Sequence, residues 1–303
     1  MADRSRRTTS RRDLSRHEGF EEVSPELGVL DEDALNEQME AAPEETLAML
    51  ADMVGATDRS LADLARRIAA QLSITLARSG AARSGVGRIA RRPLGSGGDI
   101  DLDHSMEAFA ASRDLSSASP ASRAVVHQPE HLTESGWTRH GTALCLLVDR
   151  SGSMSGDRLA TAAVAAAAAL NRAPLDTSVV CFSENAVVVK SQDSTRPVDD
   201  VVGDVMALRG FGVTDIGLAL RTATSQLARS SAARRIAVLL SDCRTTTGGD
   251  PTLHTSGLDE LVILAPADDT ADARDLAEAL DARWAPVSGP LDVPEAFRKV
   301  LGN

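Results

Sequence analysis

The sequence has no tyrosine, and aromatic residues make up only 2% of its 303 residues. A dense core therefore has to be built from aliphatic side chains. Only two of the 32 basic residues are lysines, Lys190 and Lys299. Neither follows a glycine-rich turn, which excludes the phosphate-binding loop of an ATPase. The net charge of −12 argues against general nucleic-acid binding.

Cysteines are also scarce, and long apolar segments are absent. Cys145, Cys181 and Cys243 form no CxxC pair, so we interpret them as small apolar residues in a reducing compartment. The N-terminus lacks the apolar core of a signal peptide. The longest apolar stretch, residues 159–170, is too short and too rich in alanine to span a bilayer. These observations predict a soluble cytoplasmic protein with no membrane span.

After residue 140, apolar strand-like runs alternate with helical segments. The predicted strands are residues 143–148, 178–182, 186–189, 236–240, 260–264 and 283–287, and the predicted helices are residues 157–171, 198–208, 214–229, 270–281 and 293–301. This alternation predicts an α/β fold with a doubly wound, mostly parallel six-stranded sheet and helices on both faces. Only residues 183–185 separate two of the strands. One strand should therefore be antiparallel, at the edge of the sheet.

The first 140 residues divide by charge. Residues 1–24 are polar and rich in arginine, which predicts a disordered tail. Residues 25–96 show helical periodicity, and we predict a helical region with an acidic first half and a basic second half. Residues 97–140 are predicted to be a linker with a short helix, leading into a domain at residues 141–303.

Two interpretations of the charged helical region are open. Residues 20–58 hold twelve acids and no lysine or arginine, and residues 59–96 hold eight arginines and one acid. Pro43 is expected to begin one helix and Asp58 to cap the next. The opposite charges would either pair within a helical hairpin or form a docking platform for a charged partner. In either case, we expect removal of residues 25–96 to spare the folding of the following domain.

Three separate segments place hard oxygen ligands at the ends of predicted strands. Asp149, Ser151 and Ser153 lie together in ALCLLVDRSGSMS, Thr214 lies in the glycine-containing loop GFGVTDIG, and Asp242 follows the strand 236–240. In a doubly wound sheet, such strand ends converge near the point where strand order reverses. Carboxylates and hydroxyls suit a small divalent cation, above all Mg²⁺. Helix capping would explain each residue singly, but not all of them together.

This arrangement resembles the von Willebrand factor A (VWA) domain and its metal-ion-dependent adhesion site. The family pattern is Asp-x-Ser-x-Ser, then a loop threonine, then an aspartate after the fourth strand. The resemblance covers about residues 141–303. It implies that the three hydroxyls bind Mg²⁺, with Mn²⁺ or Ca²⁺ as alternatives, and that the two aspartates act mainly through bound water. One coordination position would stay open for the carboxylate of a protein partner.

One position departs from the family pattern. The residue after the second aspartate is often glycine in the family, whereas this chain has Cys243. A side chain at this position would narrow the cleft or reshape the loop. It would remove no ligand.

The overall layout further resembles the CoxE-like VWA proteins of bacteria, which work with MoxR-type AAA+ ATPases. Residues 99–109, DIDLDHSMEAF, are similar to a segment that precedes the first strand in that group. The resemblance implies a non-catalytic adaptor that links a target to an AAA+ motor for protein remodelling or metal-cofactor assembly.

Two other functions are weighed against the adaptor. An accessory subunit of a metal chelatase, similar to the magnesium chelatase D subunit, would need an AAA+-like region for which about 140 residues are too few. A Mg²⁺-dependent hydrolase would need a positioned base. The sequence has no HExxH or GxSxG motif and shows no such base.

Overall fold

The computed structural model describes most of the chain. The described residues are 8–79, 88–93, 99–102, 105–106, 133–138, 141–150, 156–208 and 212–302. They form two compact units: residues 1–84 together with 142–303, and residues 85–141. None of the helices in these described ranges is both long enough and apolar enough to cross a membrane.

A six-stranded sheet lies at the centre of the first unit. Its strands are β4 (Thr142–Asp149), β5 (Thr177–Phe182), β6 (Ala186–Lys190), β7 (Arg234–Leu240), β8 (Glu260–Pro266) and β9 (Arg283–Val287). Their order across the sheet is β6-β5-β4-β7-β8-β9. All neighbouring pairs are parallel except β5 and β6, which pair antiparallel at the edge. The predicted sheet and its antiparallel edge strand are therefore confirmed.

Helices cover both faces of this sheet. They are α6 (Asp157–Arg172), α7 (Val198–Ala207), α8 (Ile216–Leu227), α9 (Ala271–Ala279) and α10 (Val293–Leu301). Residues of α6, α7 and α10 share one apolar cluster with one face of the sheet. Residues of α8 and α9 share a second cluster with the opposite face. The strands are covered on both faces, which explains why β4 and β5 are apolar almost throughout.

The N-terminal helices belong to the same unit as the sheet. They are α1 (Arg11–Leu14), α2 (Phe20–Val23), α3 (Glu32–Ala41), α4 (Pro43–Met53) and α5 (Arg59–Ser79). The apolar cluster of α6 and α7 continues into α4 and α5. The expectation of a helical region separate from the sheet domain was therefore wrong. The predicted disordered tail was also wrong for residues 8–24, because Leu14 and Phe20 are each only 1% exposed.

Helix α6 shows why this layer is part of the fold. Its run of alanines is buried around the whole helix, with Ala162, Ala165, Ala166 and Ala169 fully inaccessible. A helix that is apolar all round requires cover on all sides. The sheet covers one side, and α4 and α5 lie on the other. Alanine allows this close approach from both directions.

The basic half of the helical region docks on the sheet domain through an ion pair. Arg66 of α5 donates to Asp204 of α7 at 2.6 Å, and Arg196 donates to the same carboxylate at 2.8 Å. Gly203 makes room for this contact, since a Cβ there would lie 2.5 Å from Nε of Arg66. Among the described residues, no ion pair joins the acidic helices α3 and α4 to the arginines of α5. Internal pairing within a hairpin is thus not what the described structure shows.

The predicted helix starts in this region are confirmed. Pro43 occupies the first turn of α4. The carboxylate of Asp58 accepts hydrogen bonds from the backbone N–H groups of Ser60, at 2.9 Å, and Leu61, at 3.3 Å. Asp58 therefore caps α5 as expected.

The second unit contains a small antiparallel sheet that the sequence did not predict. Its strands are β1 (Arg88–Pro93), β2 (Asp99–Ile100) and β3 (Thr133–Thr138), in the order β1-β3-β2. β1 lies in the region predicted to be helical, residues 25–96, whereas β2 and β3 lie in the predicted linker, residues 97–140, so neither prediction included these strands. Most of residues 97–140, where the short helix was predicted, lies outside the described residues.

Candidate metal centre

Asp149 ends the central strand β4 at the carboxyl edge of the sheet. Its neighbours in register are Phe182 on β5 and, through Val148, Leu240 on β7. The Asp149 residue is 5% exposed, and its Oδ2 accepts a hydrogen bond from Oγ of Ser241 at 2.6 Å. A buried carboxylate needs such a donor. Asp149 is therefore fixed by its strand and by the residue that directly follows β7.

Ser151 and Ser153 lie outside the described residues. The chain enters this stretch through Arg150, whose backbone N–H donates to the carbonyl of Phe182 at 2.7 Å. This bond extends the pairing of β4 with β5 by one residue. The metal-binding role of the two serines stays a prediction.

Thr214 lies on a second loop at the same edge and is 2% exposed. Its backbone N–H donates to Oγ1 of Thr246 at 2.9 Å, and its carbonyl accepts from the N–H of Thr246 at 3.1 Å. The next residue, Asp215, donates its N–H to the carbonyl of Ser183 at 3.2 Å. These bonds tie the loop before α8 to the end of β5 and to the loop after β7.

Thr214 is not the cap of helix α8. The helix begins at Ile216, and the side chain of Asp215 accepts from the N–H of Leu218 at 2.8 Å. The helix was predicted to begin at Thr214, so its start was wrong by two positions, and the residue that caps it is Asp215. Capping does not account for a buried threonine at this loop.

Asp242 lies on the third loop, directly after Ser241. Its Oδ1 accepts from the backbone N–H of Arg244 at 3.0 Å, and the N–H of Cys243 donates to Oγ of Ser241 at 2.9 Å. Burial raises the pKa of the Cys243 thiol, and the carboxylates of Asp242 and Asp149 raise it further.

The backbone conformation at Cys243 explains why the family often has glycine at this position. Its φ angle is 62°, in the left-handed region that a residue with a Cβ rarely adopts. The thiol is 6% exposed and packs into the apolar cluster on the α8 face of the sheet. The side chain thus points into the core, and the loop keeps the turn that glycine would make easily.

The donor chemistry of this edge fits a hard divalent cation. Asp149, Thr214 and Asp242 offer carboxylate and hydroxyl oxygens, the ligand type that Mg²⁺ prefers. Within the described ranges, no group of three or more His, Cys, Asp or Glu side chains is placed to hold a metal ion. A site here would therefore depend on hydroxyls beside its two carboxylates, as the sequence pattern predicts.

Ser241 was missed by the sequence reasoning. Its signal was available, because a hydroxyl residue directly follows β7, beside the strand that ends in Asp149. Thr246 was also missed, and its pairing with Thr214 depends on the path of a long loop.

The parallel sheet, its central switch point and these three loops define a VWA-type domain. The chain belongs to the family described as VWA domain containing CoxE-like protein, whose model matches residues 64–282. The match begins within α5, so it includes part of the N-terminal helical layer. No curated protein matches the chain.

Several solved structures are similar in fold at low sequence identity. A von Willebrand factor type A protein from Catenulispora acidiphila is 20% identical, covering 55% of this chain and 43% of that chain, with a TM-score of 0.43. An aerotolerance-related membrane protein from Bacteroides fragilis is 14% identical, covering 53% and 98%, with a TM-score of 0.42. Proximal thread matrix protein 1 from the mussel byssus, solved with a zinc-occupied MIDAS motif, is 13% identical, covering 53% and 47%, with a TM-score of 0.40.

Proposed function

We propose that this protein is a non-catalytic VWA adaptor that binds a partner's carboxylate through Mg²⁺ at the carboxyl edge of its sheet. The metal would be held by residues of three loops: Asp149, Ser151, Ser153, Thr214 and Asp242. The observation that carries the proposal is the hydrogen-bonded convergence of these loops. Ser241 joins Asp149 to the loop of Asp242, and Thr246 joins that loop to Thr214.

Asp149 and Thr214 would have different roles in holding the metal. Asp149 is held by Ser241 at 2.6 Å, so its carboxylate is oriented before any ligand arrives. Thr214 would supply a neutral hydroxyl ligand, and its loop is fixed by two hydrogen bonds to Thr246, one to the side-chain Oγ1 and one from the backbone N–H. Mg²⁺ bound directly by neutral hydroxyls, with the two aspartates acting mainly through bound water, would keep an open coordination position and positive charge for an Asp or Glu of another protein. Partner binding and metal binding would then strengthen each other.

We further propose that the adaptor works with a MoxR-type AAA+ ATPase in the cytoplasm. The CoxE-like family membership supports this partner class. Neither of the chain's two lysines lies in a phosphate-binding loop, so the described domain is not itself the motor. We assign no bond-breaking step to this chain alone.

Metal binding is tested by titrating Mg²⁺ and Mn²⁺ into the protein in a calorimeter. Asp149→Asn should abolish binding, because it removes a charge from the site while keeping the side chain's shape. Asp259→Asn is the matched control, since Asp259 is an exposed residue at the opposite edge of the sheet that accepts from the N–H of Arg235. Equal binding by all three proteins would reject the proposed ligand set.

Partner binding is tested by a pull-down of a MoxR-type ATPase from the same genome. We expect capture in Mg²⁺ buffer, loss of capture in EDTA, and loss with Asp149→Asn. Asp259→Asn should behave as the wild type. Capture that ignores both EDTA and Asp149→Asn would show that the ATPase binds elsewhere and that the carboxylate mechanism is wrong.

A further inference from the structure

Residues 24–30 form a loop between α2 and α3 that holds two apolar side chains in solvent. Leu27 is 75% exposed and Val29 is 43% exposed. The two ends of the loop are joined, because the backbone N–H of Asp31 donates to the carbonyl of Val23 at 2.8 Å. Compact surface loops whose ends lie close together frequently carry function.

Hydrogen bonds fix the backbone of this loop. Ser24 is fully buried, and its Oγ donates to the carbonyl of Val29 at 3.0 Å. The guanidinium of Arg11 donates to the carbonyl of Ser24 at 2.5 Å and to the carbonyl of Glu26 at 3.4 Å. Arg11 is itself held over the ring of the buried Phe20, 5.1 Å from the ring centroid. The exposed side chains therefore stand on a backbone that is already ordered.

Packing against α5 settles which side of the loop faces outward. Gly28 has a φ of 75°, and a Cβ there would lie 3.4 Å from Cβ of Ser60 and 3.5 Å from Oδ2 of Asp58. Leu30 packs against the main apolar cluster. The inner side of the loop is therefore occupied, and the two exposed side chains lie on its outer side.

The surroundings of the loop are strongly acidic. Residues 20–58 contain twelve acids and no lysine or arginine. Glu21 lies beside the loop, because its carboxylate pairs with Arg11 at 3.0 Å. Asp31 follows the loop and caps α3. The exposed acids of residues 20–33 are Glu21, Glu22, Glu26, Asp31, Glu32 and Asp33. We call the loop with these acids the α2–α3 surface.

Two features separate the α2–α3 surface from the single exposed apolar residues that are normal on proteins. Its two apolar side chains share one fixed loop, and six exposed carboxylates flank them. Binding through a preorganised loop loses little conformational entropy. Interfaces commonly have an apolar centre and a polar rim, and opposite charges across them favour association and specificity. The surface therefore has the chemistry to receive a partner that is both apolar and basic.

We propose that the α2–α3 surface binds a basic amphipathic segment of another protein. Apolar residues of that segment would cover Leu27 and Val29, and its arginines or lysines would meet the surrounding carboxylates. The charge of the surface selects this partner, because an acidic segment would be repelled and a neutral one would gain nothing from the carboxylates. This contact needs no metal, and the inference does not rest on the proposed metal site. It corresponds to the docking-platform interpretation of the charged helical region.

The probe is a phage-displayed library of random peptides, selected against the full chain in EDTA. EDTA removes any bound divalent cation, so the proposed metal site cannot select peptides through their carboxylates. We expect the enriched peptides to combine arginine or lysine with apolar residues. Fluorescence anisotropy of a synthetic enriched peptide then gives its dissociation constant for the wild type and for each variant.

Leu27→Ala should weaken binding of this peptide by at least about ten-fold, because a few anchors near the centre of an interface carry most of the binding energy. Glu26→Gln should weaken it by about two- to five-fold, as expected for an exposed charge pair. Added salt should weaken binding to the wild type for the same reason.

The matched controls are Leu175→Ala and Glu278→Gln. Leu175 is 88% exposed between α6 and β5, and Glu278 is an exposed residue of α9. Both variants should bind the peptide as tightly as the wild type. Equal thermal unfolding of Leu27→Ala and the wild type establishes that a loss of binding is not a loss of fold.

Several results would overturn this docking surface. The library yields no basic peptide, or its basic peptides bind Leu27→Ala as tightly as the wild type. A wild-type dimer in sedimentation that Leu27→Ala converts to a monomer would show that a second copy of this chain covers the surface instead. Failure of the proposed metal site would be seen separately, in the Mg²⁺ and Mn²⁺ titrations, and would leave the docking surface standing.

Discussion

Leu47 of α4 offers a direct test of whether the N-terminal helices are part of the fold. It is 1% exposed and forms a small cluster with Ala51, Leu159 and Ala160. The two alanines are short side chains on packed helices, so they cannot fill the space that Leu47→Ala would leave. The substitution should therefore lower the free energy of unfolding by about 3–4 kcal/mol and the melting temperature by about 10 °C.

The assay follows a probe on the other side of the sheet. The sequence has two tryptophans, so a Trp137→Phe background leaves Trp284 as the sole fluorophore. Trp284 packs against the apolar cluster of α8 and α9, across the sheet from α4. If the helical layer and the sheet unfold as one unit, the Trp284 transition should shift with Leu47→Ala.

The control is another leucine-to-alanine change in the same region. Leu27 is 75% exposed, so Leu27→Ala should change the free energy of unfolding by less than about 0.5 kcal/mol. The reasoning is refuted if Leu47→Ala leaves the Trp284 transition in place while circular dichroism shows an early, separate loss of helix. That result would restore the sequence-based expectation of an independent helical region.

Two further predictions concern the backbone conformation at Cys243 and the dependence of stability on low pH. Because Cys243 has a φ of 62°, Cys243→Gly should be more stable than Cys243→Ala by about 1 kcal/mol in urea unfolding, the reverse of the order in a helix or strand; an equal or more stable alanine variant would show no backbone strain. The hydrogen bond from Arg234 lowers the pKa of Glu260, so its stabilisation is present above the unfolded-state pKa of about 4.3 and is lost as pH falls through the lower folded-state pKa. Urea titrations should therefore show Glu260→Gln less stable than wild type at pH 7, with the gap shrinking towards pH 3, and a gap independent of pH would contradict the assignment.

The sheet domain was predictable because its signals are local. Apolar runs with intervening helical periods define β4 to β9, and the three-residue connection after β5 required an antiparallel neighbour. The ends of elements were less predictable. Helix α8 begins at Ile216 rather than Thr214, because Asp215 and not Thr214 captures the N–H of Leu218.

The helical layer was not predictable in the same way. Its amphipathic periodicity indicates helices, but a periodic apolar face does not say which surface it covers. The polar, arginine-rich start of the chain suggested disorder, yet Leu14, Phe20 and Val23 are buried. Burial of only three apolar side chains is enough to order this polar stretch, because a neighbouring apolar surface is available for them to pack against. The all-round apolar character of α6 was the clue that such a surface exists.

Sequence alone determined the class of the fold and the proposed ligands Asp149, Ser151, Ser153, Thr214 and Asp242, because strand ends in a doubly wound sheet converge at a known edge. Tertiary structure alone decided what holds that edge together. The bond from Ser241 to Asp149 spans 92 positions, and the bond from Gly156 to Asp52 spans 104. No local pattern encodes contacts of that range, since they exist only after the sheet and the helical layer have packed.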